Sequence, residues 1–182
     1  MKVAYLDIET DYIGAESGQK LFEDHKNHLI TVLGLRVIAG DRDEFTQLID
    51  PNITKTALLM LLHGVKRIVT YNGRSIPDKV KRRIGFDFPV IAARMGIVLD
   101  REFEHTDLVP ECWSRGLYGG QKKVEQTLGL ERRLPGRDGS WATGMWRQYK
   151  ESGQGKFLQE LLMYNKEDVF MLREIELRLE KR

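Results

Sequence analysis

In the run AYLDIET, residues 4–10, Asp7 and Glu9 stand two apart among Ala4, Tyr5, Leu6 and Ile8, which suit a buried β-strand. A strand turns alternate residues to opposite faces, so both carboxylates point the same way. A third acid, Asp168, interrupts an apolar stripe near the C-terminus. Phe157, Leu161, Tyr164, Asp168, Leu172, Ile175 and Leu179 recur at spacings of three and four, which is one face of a helix. Tyr164 lies one turn before Asp168 on that face, so a phenol and a carboxylate are presented together. A fourth acid, Asp87, sits between Phe86 and Phe88 just ahead of Pro89, where a helix start is expected. Carboxylates gathered on core elements repel one another unless something positive lies between them. Magnesium or manganese supplies that charge, because hard cations take carboxylate oxygens, water and substrate phosphate as ligands. Two such ions stabilise the attacking and leaving oxygens of a phosphodiester displacement and lower the pKa of the attacking water. Tyr164 is placed to hold that water by a hydrogen bond.

Each acid also has a plainer reading. Asp168 alone would be a paired carboxylate at the edge of the core. Asp87 alone would be the N-cap of the helix beginning at Pro89, an arrangement worth about 1 kcal/mol. His25 and His28, three apart, give a weak zinc reading, while the single cysteine, Cys112, excludes both an intrachain disulfide and a thiolate-based zinc site.

The elements that must carry these residues follow from periodicity and punctuation. Residues 2–8 and 28–40 read as strands and 43–50 as a third, with turns at 41–42 and 51–52 making a meander. A helix is expected over TKTALLMLLHG, with Thr54 as cap and Gly64 as stop, then a strand in KRIVTYNG and a helix over FPVIAARMGI. FEHTDLVPECW reads as a strand running into a loop, QKKVEQTLGL as a helix ended by Gly129, ERRLPGRDGS as a loop, and the remainder as helical. Three strands, then alternating helix and strand, then helices imply an α/β fold whose mixed sheet is covered by helices. The 182 residues, 41% of them hydrophobic, are expected to form one domain over 1–182. The net charge of +2 identifies no partner. The longest apolar run, ALLMLL, is too short to span a bilayer, and the first ten residues show no leader, so a cytoplasmic location is expected.

Taken in order, DIET, then YNG followed by FDFP, then YNKED resemble the three motifs of the DEDD superfamily of 3′-5′ exonucleases. The tyrosine four residues before the last aspartate resembles the DEDDy branch, and the chain as a whole is similar to the predicted ribonuclease H-like exonuclease domain. The resemblance implies a ribonuclease H-like fold with its first three strands as an antiparallel meander. It implies that Asp7, Glu9, Asp87 and Asp168 bind two metal ions, Mg²⁺ or Mn²⁺, and that Tyr164 orients the nucleophilic water. It also implies that Asn72 shapes the second motif's turn and that Thr10 contacts the terminal nucleotide. The residues RSIPDKVKRRIG between the NG turn and FDFP depart from the family pattern and make Asp78 a rival for Asp87.

That insertion carries Lys79, Lys81, Arg82 and Arg83, which read either as contacts to a nucleic-acid backbone or as a solvated face. Trp141 and Trp146 are open between base stacking and core packing, and ERRLPGR is a second basic loop without an assigned place. The expected activity is 3′-5′ exonucleolytic hydrolysis of single-stranded DNA or RNA. A structure-selective endonuclease and an inactive nucleic-acid-binding module of the same fold stand as alternatives.

Overall fold

The computed structural model describes residues 1–74 and 84–181. The first strand, β1 (Lys2–Tyr12), pairs antiparallel with β2 (His28–Ala39), which pairs antiparallel with β3 (Arg42–Ile49). Gly40, in the left-handed region at φ 61°, turns the chain between β2 and β3. On its other side β1 pairs in parallel with β4 (Arg67–Thr70), and β4 in parallel with β5 (Glu104–Asp107). The five-stranded mixed sheet therefore runs β3-β2-β1-β4-β5, with β1 at its centre. This is the expected meander joined to an alternating half.

Eight α-helices are described: α1 (Gln19–Glu23), α2 (Lys55–Leu61), α3 (Asp87–Met95), α4 (Leu99–Glu102), α5 (Leu108–Trp113), α6 (Gln121–Thr127), α7 (Gly139–Ser152) and α8 (Gly155–Glu180). The alternation of β1 divides the core between the two faces of the sheet. Ala4, Leu6 and Ile8 pack with Leu58 of α2, Val90 and Ile91 of α3, and Leu99 of α4. Val3 and Tyr5 pack on the opposite side with Leu108 and Cys112 of α5, Val124 of α6, and Val169, Leu172, Ile175 and Leu179 of α8. On α8 the predicted stripe holds from Leu161 to Leu179, all buried, with Phe157 half-buried at its start.

Two readings change. The Thr54 hydroxyl caps α2 as read, accepting from the Ala57 amide at 3.1 Å, but Asp87 caps nothing: it is the first residue of α3, whose N-cap position is Phe86. The LVPECW segment is the helix α5 rather than a loop. Its Pro110 falls in the first turn, where a missing N–H costs nothing, and the Asp107 carboxylate caps the helix through the Val109 amide at 3.0 Å. As read, the last helix starts at Gly155, after α7 is closed by Gly153 in the left-handed conformation, φ 68°.

Candidate active site

Asp7 and Glu9 continue the row begun by Val3 and Tyr5, so β1 presents them toward α8. From α8 comes Asp168, and the carboxylate oxygens of Asp7, Glu9 and Asp168 lie within 4.8 Å of one another. Among the described residues this is the one grouping of acids, histidines or cysteines close enough to share a cation. A register shift between Glu9 and Thr10 breaks the β1–β2 ladder beside the site, the kind of bulge that re-aims side chains at a strand's functional end.

The Asn165 side chain, fully buried, fixes Asp7. Its amide nitrogen donates to Asp7 Oδ2 at 2.9 Å, and its carbonyl accepts from Gln47 Nε2 at 2.8 Å. Room for that amide comes from Gly34, the β2 residue directly opposite Asp7. A Cβ there would run into Asn165 Oδ1 and lie 2.8 Å from Val169 Cγ2.

Two cations meet the carboxylates. Lys122 of α6 donates a short hydrogen bond to the Tyr164 hydroxyl, and its ammonium lies 4.4 Å from the centre of that ring. Arg132, from the basic loop that had no assigned place, donates Nη2 to Asp168 Oδ1. The same guanidinium binds both oxygens of Glu125, Nη2 to Oε1 at 2.8 Å and Nε to Oε2. Glu125 is 1% exposed and also accepts from Gln121 Nε2 at 2.9 Å, while that nitrogen donates to the Asp168 carbonyl at 3.0 Å.

Asp87 is buried at the start of α3, outside the 4.8 Å group but near enough for the charges of Asp7 and Asp168 to act on it. Main-chain bonds tie it to the turn on the other side of the insertion. Phe86 N donates to Asn72 O at 2.8 Å and Phe88 N to Gly73 O at 2.9 Å, so the turn after β4 is joined directly to the helix start. Asn72 takes the left-handed conformation, φ 63°, which asparagine tolerates better than other side-chain-bearing residues. The Asp107 carboxylate holds that turn by accepting from the amides of Asn72 at 3.0 Å and Arg74 at 3.2 Å.

Burial raises Asp7, Glu9 and Asp87 well above the usual carboxylate range, and the neighbouring acids add to it. Asp168 is raised by burial too, with Arg132 and Lys122 pulling it back. Burial, then the charges of Asp168, Glu9 and Asp7, keep the Tyr164 phenol protonated far past its ordinary range. Burial alone would lower Arg132, but Glu125 and Asp168 outweigh it, so the guanidinium is firmly cationic. Three carboxylates resisting simultaneous ionisation, with only hard oxygen donors among them, fit a divalent cation.

The other predicted residues are placed as follows. Thr10 is at the bulge, its hydroxyl 3.0 Å from His28 Nδ1 and its carbonyl accepting from Thr143 Oγ1 at 3.1 Å. His28 Nε2 contacts the Leu21 carbonyl at 2.9 Å, so both of its ring nitrogens are committed and the zinc reading with His25 has no support. Trp146 is core, whereas Trp141 is half-buried, 5.6 Å from the Tyr164 ring and 4.2 Å from the Arg137 guanidinium. Asp78, Lys79, Lys81, Arg82 and Arg83 lie outside the described residues. Sequence reading missed Asn165, Lys122, Glu125 and Arg132. Asn165 stands beside Tyr164 in YNKED, but nothing in the spacing of α6 or its following loop points at α8.

A family model described as RNase H superfamily matches residues 4–179. The chain therefore belongs to the ribonuclease H superfamily, in agreement with its mixed five-stranded sheet flanked by helices. Membership supports a nuclease hydrolase in general, with divalent metal as the usual cofactor and nucleic acid as substrate. No curated protein matches the chain. No helix among the described residues is long and apolar enough to cross a membrane.

Proposed function

We propose that this chain is a 3′-5′ exonuclease of the DEDDy type that removes nucleotides from single-stranded DNA or RNA ends. The observation that carries the reading is the convergence of Asp7 and Glu9 from the central strand with Asp168 from α8, with Tyr164 one helical turn from Asp168. Asp7, Glu9 and Asp168 would hold magnesium or manganese, with Asp87 as the further ligand for a second ion. When bound, such ions balance the carboxylate charge, polarise phosphate oxygens and activate the attacking water.

This chain's own residues would do the rest. Lys122 donates to the Tyr164 oxygen, which leaves the phenolic hydrogen free to be donated to water or substrate. A phenol held protonated is suited to orienting that water rather than to taking its proton. Asn165 and Arg132 hold Asp7 and Asp168 in single orientations. Thr10, Asn72 and the cations Lys79, Lys81, Arg82 and Arg83 would contact the nucleic acid.

The test is degradation of 5′-labelled single-stranded DNA and RNA with manganese, magnesium or EDTA, beside Asp7→Ala, Asp87→Ala and Asp78→Ala. The expected result is a metal-dependent ladder shortening from the 3′ end, lost in the first two variants and kept in the third. Cleavage of a circular single strand would instead favour the endonuclease, and binding without cleavage would favour the inactive module.

A further inference from the structure

Asp168 is held by its side chain and its main chain together. Arg132 Nη2 takes Oδ1, and Gln121 takes the carbonyl oxygen at 3.0 Å. Both restraining residues are themselves fastened to the buried carboxylate of Glu125, Gln121 by one bond and Arg132 by two. The Arg132 side chain is only 7% exposed, too enclosed to reach across a groove to a phosphate. Its Nε and Nη2 are spent on Glu125 and Asp168, while the buried Nη1 makes no hydrogen bond and lies 3.8 Å from Glu167 Oε2.

We infer that Arg132, anchored by Glu125, is a positioning residue that occupies one oxygen of Asp168 and presents the other to the cation. The inference rests on the metal-site reading above. It follows from geometry: a guanidinium fixed by a bidentate carboxylate aims the remaining N–H of its Nη2 along one direction, and that N–H engages a single oxygen of Asp168. Outer hydrogen-bond partners of this kind typically control metal affinity by about 10–100-fold.

The sign of the effect separates positioning from bulk charge. Removing a positive charge beside a cation site would, by Coulomb's law alone, tighten cation binding. Loss of positioning weakens it. The experiment is Mn²⁺ titration of the nucleic-acid-free protein by calorimetry and by electron paramagnetic resonance, on wild type, Arg132→Lys, Arg132→Met, Glu125→Asp and Asp168→Asn.

The expected result is Mn²⁺ binding at least about tenfold weaker in Arg132→Lys, which keeps the charge and loses the fork, and in Arg132→Met. Glu125→Asp keeps the negative charge and shortens the anchor, so bulk charge predicts no change. It is expected to weaken binding several-fold, and it carries the test if the Arg132 variants do not fold. Arg132→Lys and Glu125→Asp both within twofold of wild type, or tighter binding in Arg132→Met, would overturn the inference. A wild type that binds no Mn²⁺, or binds it as well as Asp168→Asn does, would overturn the metal-site reading itself.

Discussion

Replacing Gly34 by alanine adds one methyl group to a strand that supplies no ligand, yet it should disturb the site. The new Cβ would collide with Asn165 Oδ1 and stand 2.8 Å from Val169 Cγ2. Overpacking of this kind costs about 1–3 kcal/mol. If the Asn165 amide swings away, its bonds to Asp7 at 2.9 Å and Gln47 at 2.8 Å are also lost, at about 1 kcal/mol each. Alanine returns roughly 0.5–1 kcal/mol, because glycine is a poor strand residue. The net expectation is destabilisation by about 2–4.5 kcal/mol, which for a chain of this size lowers Tm by roughly 4–18 °C. Urea and thermal melts of Gly34→Ala, Asn165→Ala and the double variant measure it. Truncating Asn165 first removes one of the two obstacles, so the pair should show a coupling energy of at least about 1 kcal/mol. A Gly34→Ala melt within 1 °C of wild type, roughly the scale of a neutral surface substitution, would refute the reasoning, as would strictly additive variants.

Three further outcomes are expected. Asp7→Asn should lower nuclease activity by more than about 100-fold with either metal, while raising the Tm of the EDTA-treated protein, because it removes one of three crowded charges. The pH dependence of the metal-free protein should be inverted. Asp7, Glu9 and Asp168 have raised folded-state pKa values, so the native state binds protons more tightly than the unfolded chain. Their contribution is fully present below about pH 4 and is lost as pH climbs toward the folded values, so the urea midpoint in EDTA should be higher at pH 5.5 than at pH 8, with added magnesium narrowing the gap. Glu176→Ala should cost about 2–4 kcal/mol by equilibrium unfolding, since that carboxylate accepts from both Tyr5 and Arg67 at 2.5 Å and adds to the burial that pushes the Tyr5 phenol up to about 12.

What was legible in the sequence depended on whether a residue's neighbours share its own element. Asp7 and Glu9 are visible through a period of two along one strand, and Asp168 through the stripe it interrupts, because alternation and helical spacing are local properties. Arg132 is invisible on those terms: its partners are on α6 and α8, and only the chain's path brings the loop to them. Gly34 is the same case on the sheet, since its requirement for no side chain is set by a helix residue 131 positions later, Asn165. Asn165 lies beside the apolar stripe rather than on it, so periodicity assigned it no burial, although it is fully enclosed. α5, at six residues, is too short to show a helical period, and its Pro110 is tolerated because it falls in a first turn. α1, at five residues, is too short for a periodic signal.

The paired bonds from Phe86 to Asn72 and from Phe88 to Gly73 have a bearing on how this molecule can vary. They pinch the chain at the base of an excursion, so the backbone that leaves the second motif's turn returns to it before Asp87 is reached. Loop-closure entropy rises only with the logarithm of length, about 0.6 kcal/mol for each doubling. Descendants of this sequence can therefore lengthen, shorten or exchange that excursion at little thermodynamic penalty while the acid at the head of α3 keeps its place. The neck is a natural graft point, at which a lineage or an engineer could exchange the intervening sequence while the carboxylate beyond it keeps its place.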